Sequence, residues 1–217
     1  ESNGLYCLAD QGSKIKHYEY DKNIASSLPN NRIFSIRNLN QDYLLVGTDG
    51  FVSIYDRHKD NFTTLLKTTS TISDIMVNNH LIWICCLDEI VCYDWSKKTT
   101  KIYKKELNKG NRIQFLSMLL DGENVLLGTK QNYLYFIDRN GHLLPYPGRG
   151  KINVQIHGIK KDNLKRYWLS TTNGLYCVDT DRSIKNFNVS WGLNTSWFNE
   201  RSAYYYNDTL YAGCYSL

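Results

Sequence analysis

Several motifs that carry chemistry are missing from this sequence of 217 residues. No stretch approaches the ~18 consecutive apolar residues of a membrane-spanning helix, so we expect membrane association only through regions outside this chain. Neither a Cys-x-x-Cys nor a His-x-x-x-His spacing occurs, which disfavours a zinc site. A glycine-rich phosphate loop and a Gly-x-Ser-x-Gly elbow are also absent. We therefore predict no catalytic residue, no metal and no cofactor.

A continuous run of basic residues is missing as well. The 26 Lys and Arg residues against 21 Asp and Glu give a formal net charge of +5. The basic residues are scattered in short doublets such as Lys97-Lys98 and Lys160-Lys161, which are typical of solvated loops. Because a nucleic-acid interface needs a basic stripe or patch, we predict no nucleic-acid partner.

Few prolines and many aromatic residues favour strands. The chain has 3 Pro against 17 Tyr, and aromatic residues make up 13% of it; tyrosine and β-branched residues suit a half-buried sheet surface. The 6 cysteines have no spacing that suits disulfides, since Cys7, Cys92 and Cys177 occupy equivalent positions of a repeat. We interpret all six as small buried hydrophobic residues.

An internal repeat is the strongest signal in the sequence. Five segments share an apolar triplet followed by a pair of small residues, and the first small residues are 38, 43, 42 and 43 positions apart. Such a period is typical of repeats built from four short strands. The five segments are Leu44–Thr48, Ile82–Cys86, Val125–Thr129, Tyr167–Thr171 and Leu210–Cys214.

Three further strands are predicted around each triplet. A strand ending in Asp follows the triplet, as at Gly50–Asp56, and the segment Gly4–Asp10 is a further copy of it. An outer strand of alternating polarity comes next. An inner strand precedes the triplet and is predicted at Arg32–Ile36, Ile72–Val77, Arg112–Leu116 and Ile152–Ile156.

Four strands in each ~43 residues make one blade of a β-propeller. We therefore predict an all-β fold with about five four-stranded blades, in which residues 1–217 form a single propeller domain or a fragment of one. The triplet strand is apolar on both faces because each blade is stacked between neighbours. The repeated Asp is expected to cap a turn rather than to act as an acid or base.

With these residues in view, the units resemble the regulator-propeller repeats in the sensor regions of bacterial two-component systems. Ile82-Trp83-Ile84, Gly47-Thr48 and Tyr93-Asp94 match the pattern of that family, and Leu28–Ile33 resembles its connecting loop. The segment Gly192–Ala203 resembles the signature of a last blade. The pairs Cys85-Cys86 and Ser170-Thr171 depart from the usual glycine–threonine and weaken those two repeats.

The resemblance implies a periplasmic, ligand-sensing region of a hybrid histidine kinase and response regulator protein. It further implies that this region is not an enzyme, that kinase activity lies elsewhere in the full-length protein, and that the chain is part of a larger, seven-bladed propeller. The implied partners are a glycan-derived oligosaccharide or another small ligand and a second copy, through a homodimer of the full ectodomain.

Other interpretations remain open at this point. Tyr55-Asp56 and Tyr93-Asp94 mimic the dipeptide of WD repeats, but the single Gly-His pair, Gly141-His142, follows the Asp instead of opening the unit. Within the propeller fold, an interaction or dimerisation scaffold without a small ligand is the main alternative function. A propeller hydrolase or lyase is disfavoured because no carboxylate pair is indicated.

Four residues are predicted to bind the ligand. Arg32 and Arg112 each stand in an Asn-Arg-Ile sequence at the entrance of a predicted inner strand, and we expect them to point toward the mouth of the propeller. Trp191 and Trp197 lie in what we take as the longest such loop. Aromatic rings beside Arg and Asn suit carbohydrate or peptide recognition. The alternative is that Trp197 fills a blade junction and that the arginines pair with acidic loop residues.

Overall fold

The structure is a computed structural model that describes residues 3–9, 12–106 and 112–214. Within these ranges it contains twenty strands, one 3₁₀ turn at Val189–Trp191 and no α-helix. The described residues therefore include no helix with the length and apolar character needed to cross a membrane. The strands are β1 Leu5–Ala9, β2 Lys14–Tyr18, β3 Ile33–Asn38, β4 Tyr43–Thr48, β5 Phe51–Asp56, β6 Asn61–Lys67, β7 Ile72–Asn78, β8 Leu81–Cys86, β9 Ile90–Asp94, β10 Thr99–Tyr103, β11 Phe115–Asp121, β12 Asn124–Thr129, β13 Leu134–Ile137, β14 Leu143–Pro145, β15 Ile156–Lys161, β16 Tyr167–Thr171, β17 Gly174–Val178, β18 Ile184–Phe187, β19 Phe198–Tyr206 and β20 Thr209–Cys214.

The strands form antiparallel sheets in simple sequence order. Four sheets have four strands each, namely β3 to β6, β7 to β10, β11 to β14 and β15 to β18. Two sheets have two strands, β1 with β2 and β19 with β20. The chain divides into two compact units, residues 1–102 and 103–217. Within the first unit β3 packs beside β7, and within the second β11 packs beside β15 and β15 beside β19.

The repeated triplets form the second strand of each sheet, as predicted. From the apolar triplet onward every residue of β8 and β12 is buried, as is every residue of β4 except Leu44, whereas Tyr167 and Trp168 of β16 are half-buried. The exception is β20, which is largely exposed. Its sheet has two described strands instead of four, so less surface is available to cover it.

Each unit has its own apolar core. In the first, Ile72 and Ile75 of one sheet pack with Leu45 of the preceding sheet. In the second, Ile156 and Leu169 belong to a cluster of buried residues drawn from two consecutive sheets. Apolar side chains buried between stacked sheets contribute roughly 1.5–3 kcal/mol each, so the stacking of blades stabilises each unit.

Two inner strands begin later than the sequence pattern predicts. The prediction placed them at residues 112–116 and 152–156, whereas β11 begins at Phe115 and β15 begins at Ile156. Ile113 and Ile152 are buried all the same. Both lie in the loop that leads to the strand, so their apolar character reflects loop packing, and period-2 alternation does not separate the two cases.

The repeated aspartates cap turns, as predicted. The Asp94 carboxylate accepts the backbone N–H groups of Ser96 and Lys97 at 2.9 and 3.0 Å, and Asp56 accepts those of His58 and Lys59 at 2.9 and 3.0 Å. The Ser96 hydroxyl, which donates to Asp94 at 2.6 Å, lowers the pKa of Asp94 most, followed by the two backbone N–H groups. The backbone N–H groups of Lys59 and His58 lower the pKa of Asp56. The recurring carboxylates thus have an architectural role. The corresponding Asp10 lies outside the described residues.

A second carboxylate, Asp60, joins the β1–β2 hairpin to the next sheet. It accepts hydrogen bonds from Lys16 Nζ, Tyr18 OH and Tyr55 OH, each at 2.6 Å. The pairing with Lys16, followed by the two phenols, lowers the pKa of Asp60 to about 2. Burial and the hydrogen bond to Asp60 raise the pKa of Tyr18, so the phenol stays protonated as a donor.

The cysteine prediction is partly wrong. All six cysteines are free thiols, and Cys85, Cys86, Cys92 and Cys177 are buried as expected, but Cys7 and Cys214 are exposed. The two exposed thiols lie in β1 and β20, the strands of the two-stranded sheets. The same repeat position is therefore buried in a complete sheet and exposed in an incomplete one.

Candidate functional site

In each complete sheet, two loops meet at the end where the chain enters the first strand, which we call the entrance end. The turn between the second and third strands is hydrogen bonded there to the incoming loop. Leu87 N donates to the Thr71 carbonyl at 3.0 Å, and Lys130 N donates to the Gln114 carbonyl at 2.9 Å. Polar loop residues are thus held beside one another by backbone contacts.

Arg32 lies at an entrance end, directly before β3, and its side chain is exposed. One guanidinium nitrogen is 3.4 Å from the Asp49 carboxylate, and the guanidinium carbon lies 5.3 Å from the centre of the Phe34 ring. Asp49 also accepts a hydrogen bond from the Thr71 hydroxyl at 2.8 Å. Arg32 therefore pairs with an acidic loop residue, as the alternative interpretation expected, and its side chain is still accessible.

Arg112 is exposed in the loop before β11. Its carbonyl accepts a hydrogen bond from Gln131 Nε2 at 3.3 Å, and Gln131 Oε1 accepts one from Gln114 N at 2.8 Å. One glutamine side chain therefore ties the incoming loop to the turn. Within residues 3–9, 12–106 and 112–214, no ion pair or hydrogen bond involves the Arg112 guanidinium.

Trp191 is 70% exposed at the end of the 3₁₀ turn. Its ring packs edge-on against Phe187 at 5.4 Å, and Phe187 lies 5.6 Å from Trp168. The turn is held by the Asn188 side chain, which accepts a hydrogen bond from Ser190 N at 3.0 Å. Trp191 is thus the exposed end of a row of three aromatic rings.

Trp197 is 53% exposed and does not fill a blade junction. It lies directly before β19, where its backbone N–H donates to the Thr195 hydroxyl at 3.2 Å. The loop of residues 188–197 that holds both tryptophans is shorter than the loop of residues 19–32, so the expectation that it is the longest is wrong. Among the described interactions of Arg112, Trp191 and Trp197, none joins two of these three side chains.

A cleft that the sequence analysis missed lies in the second unit. Its volume is about 360 Å³, and it is bordered by the turn at residues 132–134 and by the segment of residues 145–153 that leads into β15. The exposed side chains of Tyr133, Lys151 and Asn153 line it. The sequence analysis assigned residues 152–156 to an inner strand, so this segment was not recognised as a loop. A tyrosine inside a turn and the sequence Gly148-Arg149-Gly150 are the signals that indicate a loop.

The histidines and acidic residues form no metal centre within the described ranges. Four of the histidines are exposed. The fifth, His157, is buried, and its Nδ1 lies 2.7 Å from the Phe198 carbonyl oxygen. That contact satisfies the buried ring, which gives His157 a structural role in joining β15 to β19.

Two solved extracellular domains superpose on almost the whole chain. The domain of the proposed hybrid two-component system BT3049 from B. thetaiotaomicron matches 98% of this chain with a TM-score of 0.76 and 15% identity. The corresponding domain of BT4673 from the same organism matches 98% with a TM-score of 0.74 and 16% identity. This chain spans 29% of each of those chains.

A solved β-propeller from another class of protein also matches. This structure is the propeller domain of Cps50 (Swd1) from Myceliophteria thermophila. The match includes 84% of this chain and 62% of that domain, with a TM-score of 0.67 and 13% identity. No family model and no curated protein matches the chain. At these identities the likeness shows the fold. The predicted all-β propeller of about five blades is confirmed, and the solved structures with a similar fold include extracellular domains of two-component systems, as the resemblance of the repeats implied.

Proposed function

We propose that this chain is part of the extracytoplasmic sensor region of a two-component signal transduction protein. The observation that supports this most is the match of two extracellular domains from such systems to 98% of the chain. The repeat pattern of the sequence agrees with it independently. In this proposal the region lies in the periplasm and is not an enzyme, histidine kinase activity belongs to another part of the full-length protein, and the full ectodomain forms a homodimer.

The proposed ligand is a glycan-derived oligosaccharide bound by loops at the entrance ends. Trp191 and Trp197 expose indole faces on which a sugar ring stacks. Arg32 and Arg112 carry guanidinium donors for hydroxyl or carboxylate oxygens. The accessibility of all four side chains supports this role.

Thermal unfolding tests this proposal. The chain is heated with and without each member of a panel of plant and host oligosaccharides. A ligand at about 100 times its Kd stabilises the folded state by about 2.7 kcal/mol, which raises the Tm of a chain of this length by about 5–10 °C. Trp191→Ala is expected to abolish the shift. Tyr204→Ala, which removes another exposed ring, is the matched control and keeps it.

An interaction scaffold without a small ligand is the second candidate, and one observation favours it. The β1–β2 hairpin exposes Leu8 and Ile15 at 68% and 66%, as a protein-binding surface does. If this hairpin joins two copies, sedimentation equilibrium gives a dimer that Ile15→Lys dissociates. A monomeric chain that shows a glycan-dependent rise in Tm supports the sensor instead, and a panel without any shift argues against the sensor.

A further inference from the structure

The cleft of the second unit has a fixed aromatic wall. The ring of Tyr133 is half exposed and packs edge-on against Tyr135 at 6.1 Å. The Tyr133 backbone is held on both sides by Thr129, whose hydroxyl donates to the Tyr133 carbonyl at 2.8 Å and accepts its N–H at 3.1 Å. The ring is therefore placed before any ligand arrives, which lowers the entropic cost of binding.

The opposite wall, formed by residues 145–153, contains two glycines in the lining. A Cβ atom on Gly148 would lie 2.9 Å from Ile184 Cδ1, and one on Gly150 would lie 3.2 Å from Ile184 Cβ. Glycine at these two positions lets the loop pack directly against Ile184. The cleft beside this loop has a volume of about 360 Å³, within the range of small-ligand sites.

The charge of the cleft is positive. Lys151 lines it without any described ion pair or hydrogen bond, and the lining contains no Asp or Glu. Burial raises the pKa of Tyr146, another lining residue, while the positive charge of Arg182 acts to lower that pKa. The nearby Asp121 is neutralised by Lys161 at 2.5 Å. An ammonium group without a partner in an open cleft favours an anionic ligand.

Two amide side chains complete the lining. Asn132 and Asn153 lie on opposite walls, and the structure gives neither side chain a hydrogen bond within the described residues. Each supplies donors and an acceptor. The cleft thus combines two amides, one exposed aromatic ring and one cation. Together these groups suit a sugar ring that carries a carboxylate.

We propose that this cleft binds a uronic acid, the carboxylate-bearing residue of an acidic oligosaccharide. The sugar ring packs on Tyr133, its carboxylate pairs with Lys151, and its hydroxyls bond to Asn132 and Asn153. This site is separate from Arg32, Arg112, Trp191 and Trp197. The inference rests on the proposed function only in that the ligand is a glycan.

The test compares an acid with its own ester. Digalacturonic acid and a glucuronic acid disaccharide are titrated calorimetrically into the chain, each beside its uncharged methyl ester. The acids are expected to bind more tightly than the esters. Lys151→Gln weakens acid binding about threefold to tenfold and leaves the esters unchanged, because a charge-assisted contact to an exposed group is lost. Tyr133→Ser weakens both forms.

Arg139→Gln is the matched control, since it removes one exposed positive charge in the turn after β13 and is expected to have no effect. Equal affinity of acid and ester overturns the proposal, as does acid binding that survives both cleft substitutions or the absence of binding up to the millimolar range. If neither acid binds, and a neutral glycan raises the Tm by an amount that Tyr133→Ser leaves unchanged, the sensor function is supported while the cleft assignment is overturned.

Discussion

Asp121 is the residue whose removal gives the most informative stability experiment. Its carboxylate ends β11 and reaches the neighbouring sheet, where Lys161 Nζ donates to it at 2.5 Å and the Tyr167 hydroxyl donates to its second oxygen. Burial raises the pKa of Asp121, but the two donors outweigh burial and lower it overall. The Tyr167 ring also packs against Tyr146 of the cleft at 6.1 Å. One carboxylate thus connects two blades and supports a cleft wall.

The expected cost of Asp121→Ala follows from the exposure of the partners. A hydrogen bond to a charged group contributes about 1.5–3 kcal/mol, and an exposed ion pair about 0–1 kcal/mol. The side chains of Asp121 and Lys161 are 23% and 31% exposed, so water replaces part of both interactions. We therefore expect a loss of about 2 kcal/mol, or about 4–8 °C in Tm.

Denaturant unfolding followed by circular dichroism measures this loss. Tyr167→Phe alone is expected to cost about 1 kcal/mol, and the double variant less than the sum, because both substitutions remove the same hydrogen bond. Glu123→Ala is the matched control, since Glu123 is an exposed acid in the same β11–β12 turn. A loss no larger than that of Glu123→Ala refutes the reasoning, and so do strictly additive single effects.

The pH dependence supplies an independent check. Because the pKa of Asp121 is lower in the folded chain than in the unfolded chain, the unfolded state binds more protons in acid. The stabilisation is therefore complete above the unfolded pKa of about 3.9 and is lost as the pH falls through the folded pKa. The difference between the wild type and Asp121→Ala should shrink in that window. A difference that stays constant as the pH falls contradicts the assignment.

Three other outcomes are expected. Gly128→Ala should cost about 1–3 kcal/mol, because the new Cβ lies 2.6 Å from Ile156 Cγ2; an unchanged Tm contradicts this. Cys7 and Cys214 should react with a thiol reagent in the folded chain, whereas the four buried thiols react only after unfolding. Asp60, whose pKa is lowered to about 2 by an ammonium and two phenols, should stabilise β2 above about pH 4 and lose that effect toward pH 2, as hydrogen exchange would report.

The strands were predictable because a strand buried on both faces needs consecutive apolar residues, which form a recognisable pattern in the sequence. The triplet Ile82-Trp83-Ile84 and the small pair after it recur with one period, and the structure forms β8 over these residues. The turn role of Asp94 was predictable for the same reason, since the residue recurs at one position of the repeat. The organisation of residues 1–217 as a single domain remains a prediction.

The cleft was not predictable because the residues that line it do not recur at fixed positions of the sequence repeat. Tyr133 and Lys151 are eighteen positions apart and lie in different loops, and residues 152–156, which directly follow Lys151, were assigned to an inner strand. The exposure of Trp191 and Trp197 was inferred only from their position in a loop. Single-sequence patterns locate buried strands through alternation, whereas a cleft depends on which loops the folded sheets bring together.

The loops at the entrance ends differ in length, whereas each complete sheet has four strands. Only residues 68–71 separate β6 from β7, whereas residues 146–155 separate β14 from β15 and residues 188–197 separate β18 from β19. Stacking fixes the inner strands, because Ile75 and Ile156 are fully buried against neighbouring sheets. In the loop of residues 146–155 the buried Ile152 belongs to the core, but the exposed loop positions carry no such constraint, so changes at those positions leave the core intact. The two ten-residue loops hold Lys151 and both exposed tryptophans, so under the proposed function these loops are where substitutions would change ligand specificity while the buried strands keep the fold.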